Sequence, residues 1–310
     1  MNSKFILNAL FLLFFAPLFS QSLTVAERLG YAKDAKLLII HADDLGVTHS
    51  ENRASIAGLE ETPVNSASIM VPCPWFPEIA AYARKNKGAD LGLHLTLTSE
   101  WKYYKWGPVT STDVVPSLVN EDGYFYSSVD SLIAHASPKH VEIELRNQVK
   151  KAYQFGIDVT HLDAHMGAAV STPKFLEVYI KIGKEFQLPV LLDGRIYTMG
   201  STITELLNET DVVADAIPTK LPEDQEKGTH QYYETLLNNL NPGLNCLLIH
   251  LAFDDAEMQA VTVDHPEWGA AWRQADYEFF SDTANDALLK ENNIVLVTWR
   301  EIRDKIVRGK

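Results

Sequence analysis

The sequence predicts an α/β protein, a (β/α) barrel-like domain of seven or eight mostly parallel strands. Short apolar runs rich in β-branched residues recur along the chain, and amphipathic helical stretches separate most of them. The length, 310 residues, suits one closed or nearly closed barrel of that kind. The runs are Leu37–Ile40, Ala67–Val71, Leu91–Leu95, Ile157–Leu162, Pro189–Leu192, Val212–Ala214, Leu244–His250 and Ile294–Val297. Between the third and fourth, "KHVEIELRNQVKKAYQFG" places Val141, Leu145, Val149 and Ala152 at helical spacing, with Gly156 as a stop signal. An open doubly wound sheet is the alternative architecture. No G-x-G-x-x-G follows the first run, so a dinucleotide site is unsupported.

Composition is that of a globular protein, 46% hydrophobic and 22% charged. No repeat, low-complexity tract or linker divides residues 21–310, which read as one domain. Residues 1–20 differ. Lys4 gives a short positive region, "FILNALFLLFFAPLF" is apolar apart from Asn8, and Ser20 is a small residue before Gln21. This is the pattern of a secretory signal peptide, and the run is short for a bilayer span. The expectation is an exported protein, periplasmic or extracellular, with no stable membrane insertion after cleavage. A balance of 27 basic against 41 acidic residues argues against a nucleic-acid partner. Cys73 and Cys246 fall at opposite ends of their apolar runs, so no disulfide is expected.

Four of the runs finish in polar clusters. Asp43 and Asp44 close the first, His94 sits in "DLGLHLTL", His161, Asp163 and His165 end "VTHLDAH", and His250 lies in "CLLIHLAF". Any one of these has an ordinary explanation, such as a helix cap for Asp44 or a satisfied core imidazole for His94. Together they fall at the same end of parallel strands, where barrels of this kind place their chemistry. Asp and His suit a divalent transition metal. One puzzle remains, because successive strand side chains point to opposite faces and Asp43 and Asp44 cannot share one.

The segments "ADDLGVTHSEN", "SASIMV", "LGLHLTLT", "THLDAH" and "RQADYEFFSD" occur in the order found in the YdjC-like carbohydrate deacetylases, and the chain resembles that family from about Leu37 to about Arg303. The resemblance implies a barrel-like fold related to polysaccharide deacetylases and a metal-dependent site that removes acetyl from N-acetylated sugars. By matching position, Asp44, His94 and His165 resemble the metal ligands, and Asp43 the catalytic base. The cation would be one divalent ion, zinc first and magnesium, manganese or nickel next, and it would offset the repulsion between the two carboxylates. His250 is placed as the general acid, with Asp163 and His161 supporting a ligand histidine. Two departures stand out: Met166-Gly167-Ala168 follows His165 where further histidines are usual, and His250-Leu251-Ala252 replaces H-P-G. A catalytically weakened carbohydrate-binding relative is therefore the alternative. A glycoside hydrolase would need two carboxylates flanking a sugar bond, and metal-type histidines argue against it.

Substrate contacts are expected from the long connection beginning "SEWKYYKWGPV", chiefly Trp101 and Tyr104, whose faces suit a sugar ring, with a satellite hydrophobic cluster under the loop as the equal alternative. A second loop carrying "DDAEMQ" and "DHPEWG" faces it, and Arg273 matches a recurrent arginine of the family.

Overall fold

The strand β1 (Lys36–Leu45) runs through the centre of a parallel sheet. The computed structural model describes residues 23–309, so the expected signal peptide lies outside the described residues. On one side β1 pairs with β2 (Ser66–Ile69) along its second half and with β6 (Ile294–Leu296) along its first. On the other it pairs with β5 (Gly243–Ile249) over its first seven residues. The sheet continues from β2 to β3 (Leu91–Leu95) and β4 (Leu162–Ala164), every pairing parallel.

Six strands therefore form among the described residues, fewer than the seven or eight expected. The runs at Pro189–Leu192 and Val212–Ala214 make only isolated bridges, Leu162↔Val190 and Asp193↔Ala214, with Ala216↔Asn245 beyond them. Pro189 lacks the N–H a ladder requires, and the following turn Gly194–Thr198 ends the run at once. The fourth run also shifts. Ile157 donates its N–H back to the carbonyl of Ala152, closing the preceding helix, and the strand starts only at Leu162.

Alternation along β1 divides the core. Leu38, Ile40 and Ala42 join the larger apolar cluster, which the helices cover. Leu37 and Ile39 point the other way, into a smaller cluster with Leu244, Cys246, Val297 and Trp299. Both cysteines are free and buried, as the sequence implies. His41 and Asp43 continue the parity of Leu37 and Ile39, so the inner face turns from apolar to polar toward the strand's C-terminal end. The helix Pro138–Gln154 buries Val141, Leu145, Val149 and Ala152 completely and is followed by Gly156 in the left-handed region, φ 78°. Among the described residues no helix is long and apolar enough to cross a membrane.

The end of β1 resolves the puzzle of the adjacent aspartates. Its register against β2 shifts between Ala42 and Leu45, and Asp44 adopts φ 65°. A bulge of this sort inserts one residue and re-aims its side chain. Asp44 thus turns to the same side as Asp43, at a conformational cost of about 1–2 kcal/mol for a non-glycine residue. Gly46, at φ 95°, completes the turn, with its N–H donating to the side chain of Asn52, 2.7 Å away. Strain at a strand end concentrates at sites with a use for it.

Candidate active site

Asp44, His94 and His165 converge on one point. Asp44 Oδ1 lies 3.3 Å from His94 Nε2 and 3.3 Å from His165 Nδ1, and the three ligand atoms all fall within 4.8 Å of one another. All three side chains are buried. Each imidazole is fixed through its other nitrogen. His94 Nδ1 lies 2.8 Å from Asp163 Oδ2, and His165 Nε2 lies 3.0 Å from Glu100 Oε2. Asp163 is held well below the usual carboxylate range: burial pushes it up, but the charges of His94 and His41 and their hydrogen bonds outweigh burial. An ionised carboxylate can only accept, so His94 donates from Nδ1 to Asp163 and its Nε2 faces Asp44.

The charge balance fits a cation. Asp43, Asp44 and Asp163 are buried around this point with Glu100 half-buried beside them, and Asp43 Oδ1, Asp44 Oδ1 and Asp163 Oδ1 have no hydrogen-bond partner. Orphaned carboxylate oxygens in a dry interior are costly. His165 reflects the same field. Burial lowers its pKa, but Glu100 and Asp44 on either side carry it up to about 10. A donor set of one carboxylate oxygen and two imidazole nitrogens, each histidine backed by a carboxylate, suits a catalytic divalent site. Asp163→Asn is accordingly expected to weaken zinc binding about 10–100-fold, measured by competition with a chromophoric chelator. Unchanged affinity would remove Asp163 from the support of His94.

The two aspartates are electrostatically unlike. Burial and the adjacent charge of Asp44 push Asp43 up to about 7. Asp44 goes the other way, because Arg273 and then His165 overcome the effect of burial and hold it well below the carboxylate range. Arg273 Nη2 donates to Asp44 Oδ2 at 2.8 Å, Nη1 donates to Glu51, and Nε donates to the Trp268 carbonyl at 2.6 Å. His250 Nε2 stands 3.2 Å from Asp43 Oδ1. Its imidazole is pushed down to about 3 by burial and by the Arg273 charge, and so is neutral near pH 7. Asp276 Oδ2 accepts from the His250 backbone N–H at 3.3 Å. A cavity of about 600 Å³ opens over these groups, with Trp101, Ser127, His265 and Trp268 also on its walls.

A family model described as YdjC-like protein matches residues 37–291. The chain belongs to the YdjC-like family. A YdjC-like assignment agrees with the relatives of known name. A carbohydrate deacetylase of Thermus thermophilus is 34% identical over 288 residues, covering 90% of this chain and 98% of that one. One from Thermoanaerobacter pseudethanolicus is 26% identical over 268 residues, covering 85% and 98%. The solved structure of a candidate cellobiose-phosphate cleavage protein from Enterococcus faecalis V583 shares the fold. It has a TM-score of 0.72 at 22% identity, covering 86% of this chain and 99% of that one.

Within this YdjC-like site, Asp43, Asp44, His94, His165 and His250 share one cavity, and Asp163 sits directly behind His94. Three expectations need correction. His161 supports no ligand histidine by hydrogen bond; its ring stacks on Trp299, contacts His41 edge-on and lies against Gly92, where a Cβ would come within 2.4 Å of it. Arg273 binds Asp44, Glu51 and the Trp268 carbonyl, one through each of its nitrogens, so its first use is to brace a ligand, although it also borders the cavity. Tyr104 donates its hydroxyl to the Val47 carbonyl at 2.7 Å and packs against Trp101, leaving Trp101 and Trp268 as the aromatic residues on the cavity wall. Residues that sequence reasoning passed over are Glu51, Glu100, Asp276 and His41. His41 carried a signal, since it lies two residues before Asp43 on one strand face. Its Nε2 lies 3.2 Å from Asp163 Oδ2. Glu51 stood in the quoted first motif, in the first turn of the helix His49–Glu61.

Proposed function

We propose that this protein is a metal-dependent carbohydrate N-deacetylase, a hydrolase that cleaves the amide C–N bond of an N-acetylated sugar and releases acetate. The observation that carries the reading is the pairing of a three-residue metal-type cluster with a separate aspartate, Asp43, whose Oδ1 is unpartnered beside it. A protein that only bound sugars would have no use for that second carboxylate. The names of the 34% and 26% identical relatives support the same activity.

Asp44, His94 and His165 would hold the ion, zinc by donor type, with magnesium, manganese and nickel as the next choices. The chemistry supplied by a divalent ion in such a site is polarisation of a carbonyl and acidification of water. Arg273 holds Asp44 in place, and Asp163 and Glu100 fix the two imidazoles. Asp43 takes the proton from the attacking water as it adds to the acetamide carbon. His250 is neutral and gains its proton during turnover; at 3.2 Å, Asp43 is its source. His250 then protonates the amine nitrogen as the C–N bond breaks, giving acetate and a free amino sugar. Trp268, half-buried on the cavity wall, supplies a face for the sugar ring, whereas Trp101 is only 3% exposed and packs against Tyr104, Trp106 and Arg273. Residues 1–20 support export as part of this reading.

The test is a panel of N-acetylated hexosamines and their short oligomers, with acetate and free amine both measured. Equal molar appearance of the two from at least one sugar is expected. Tight binding of N-acetylated sugars with no acetate from any of them would favour a binding protein instead.

A further inference from the structure

A row of polar side chains crosses the inner face of the sheet from β1 to β4. His41 on β1 is the register partner of Ser66 on β2, and Ser68 follows two residues later on the same face. His94 on β3 and Asp163 on β4 are register partners in turn. All five are buried, and His41, Ser66 and Ser68 completely so.

One oxygen ties the row together. Asp163 Oδ2 lies 2.8 Å from His94 Nδ1 and 3.2 Å from His41 Nε2, and it accepts from Ser68 Oγ at 3.1 Å. His41 Nε2 is also 3.1 Å from Ser68 Oγ, so these atoms close a triangle. Across the ring, His41 Nδ1 is held by Ser66 Oγ at 3.0 Å. Asp163 Oδ1, by contrast, has no hydrogen-bond partner.

That asymmetry is informative. The terminal torsion of an aspartate is broad and roughly two-fold, so a carboxylate held by His94 alone would be free to turn and exchange its oxygens. Such a turn would swing the hydrogen bond that fixes the His94 ring, and carry Nε2 away from Asp44 Oδ1. His41 and Ser68 place two more contacts on Oδ2, so one orientation alone keeps them all. The His41 ring is itself anchored at both nitrogens, and a flip would break both anchors. An apolar residue would fill the same place without the cost of desolvating an imidazole.

We propose that His41 is a positioning residue of the metal site: with Ser68 it pins Asp163 Oδ2, and Asp163 in turn aims His94 Nε2 at the ligand point. The proposal rests on the metal-dependent reading above and deepens it by one residue behind a ligand.

Zinc affinity of the full chain, measured by chelator competition, gives one readout. The visible spectrum of bound cobalt(II), which reports the ligand geometry at the ion, gives a second. His41→Leu fills the space and removes the donor; it should weaken zinc binding about tenfold and shift the cobalt bands. His41→Gln, whose side-chain amide donates where Nε2 does, should restore both. Combined with Asp163→Ala, His41→Leu should cost nothing further, because its effect passes through that carboxylate. Losses that add in the combined variant would make His41 a packing residue and overturn the proposal. Wild-type zinc affinity in His41→Leu would also overturn it, and would leave Asp44, His94 and His165 standing as ligands. If His41→Leu does not fold, Ser68→Ala carries the test, with a loss of affinity that again disappears beside Asp163→Ala. A wild-type chain that takes up neither ion overturns the metal reading and this proposal with it.

Discussion

Asp44→Ala is expected to purify without bound metal and to release no measurable acetate, whereas Asp43→Asn keeps its ion and loses turnover by about 10²–10⁴-fold. The two substitutions differ because the bulge at the end of β1 gives the carboxylates different neighbours. Asp44 Oδ1 faces His94 and His165 at 3.3 Å each, so its removal takes away one of three ligands and leaves the Arg273 charge without its partner. Asp43 lies 3.8 Å from His94 Nε2 and 3.2 Å from His250 Nε2, and the proposed mechanism gives it the proton and leaves the ion to Asp44. Elemental analysis of the purified variants alongside acetate release checks both halves. Near-normal release by Asp43→Asn would remove Asp43 as the base.

His250→Ala should lower kcat by about 10²–10⁴-fold while metal content stays intact, since a general acid acts chiefly in the transition state. Its support explains why the change from H-P-G to His250-Leu251-Ala252 need not cost the residue its position. Asp276 holds the His250 backbone N–H, and Asp276 is itself fixed by Lys220 Nζ at 2.5 Å. Leu251 and Ala252 are fully buried, so the altered turn is packed into the core. Turnover that survives the substitution would make His250 a wall of the cavity and no more.

Much of this arrangement was legible in the residues. Helical spacing through Val141–Ala152 and the polar clusters at strand ends follow from periodicities that a chain cannot hide. Asp44, His94 and His165 could be grouped because parallel strands bring their C-terminal ends together. What escaped was long-range. Glu100 becomes the partner of His165 only once the loop after β3 folds back, across 65 positions of sequence. Arg273 could be matched to a motif, yet its use depends on where Glu51 and Asp44 lie, more than 220 positions away. His161 looked like its neighbours in "VTHLDAH", but a shift of two positions along the chain sets it deeper, between His41 and Trp299. Strand number was overestimated because short β-branched runs look alike whether they form ladders or single bridges. The bulge at Asp44 has no sequence period at all. Only the improbability of two carboxylates at a strand end pointed to it.

Zinc titration of the metal-stripped wild-type chain, followed by acetate release from the best substrate of the panel, tests the metal-centred reading most directly. Release should be absent after chelation, rise with added ion and level off at one equivalent per chain, with no recovery in Asp44→Ala. Full activity in the metal-stripped chain would contradict the assignment of Asp44, His94 and His165 as the ligands of a catalytic ion.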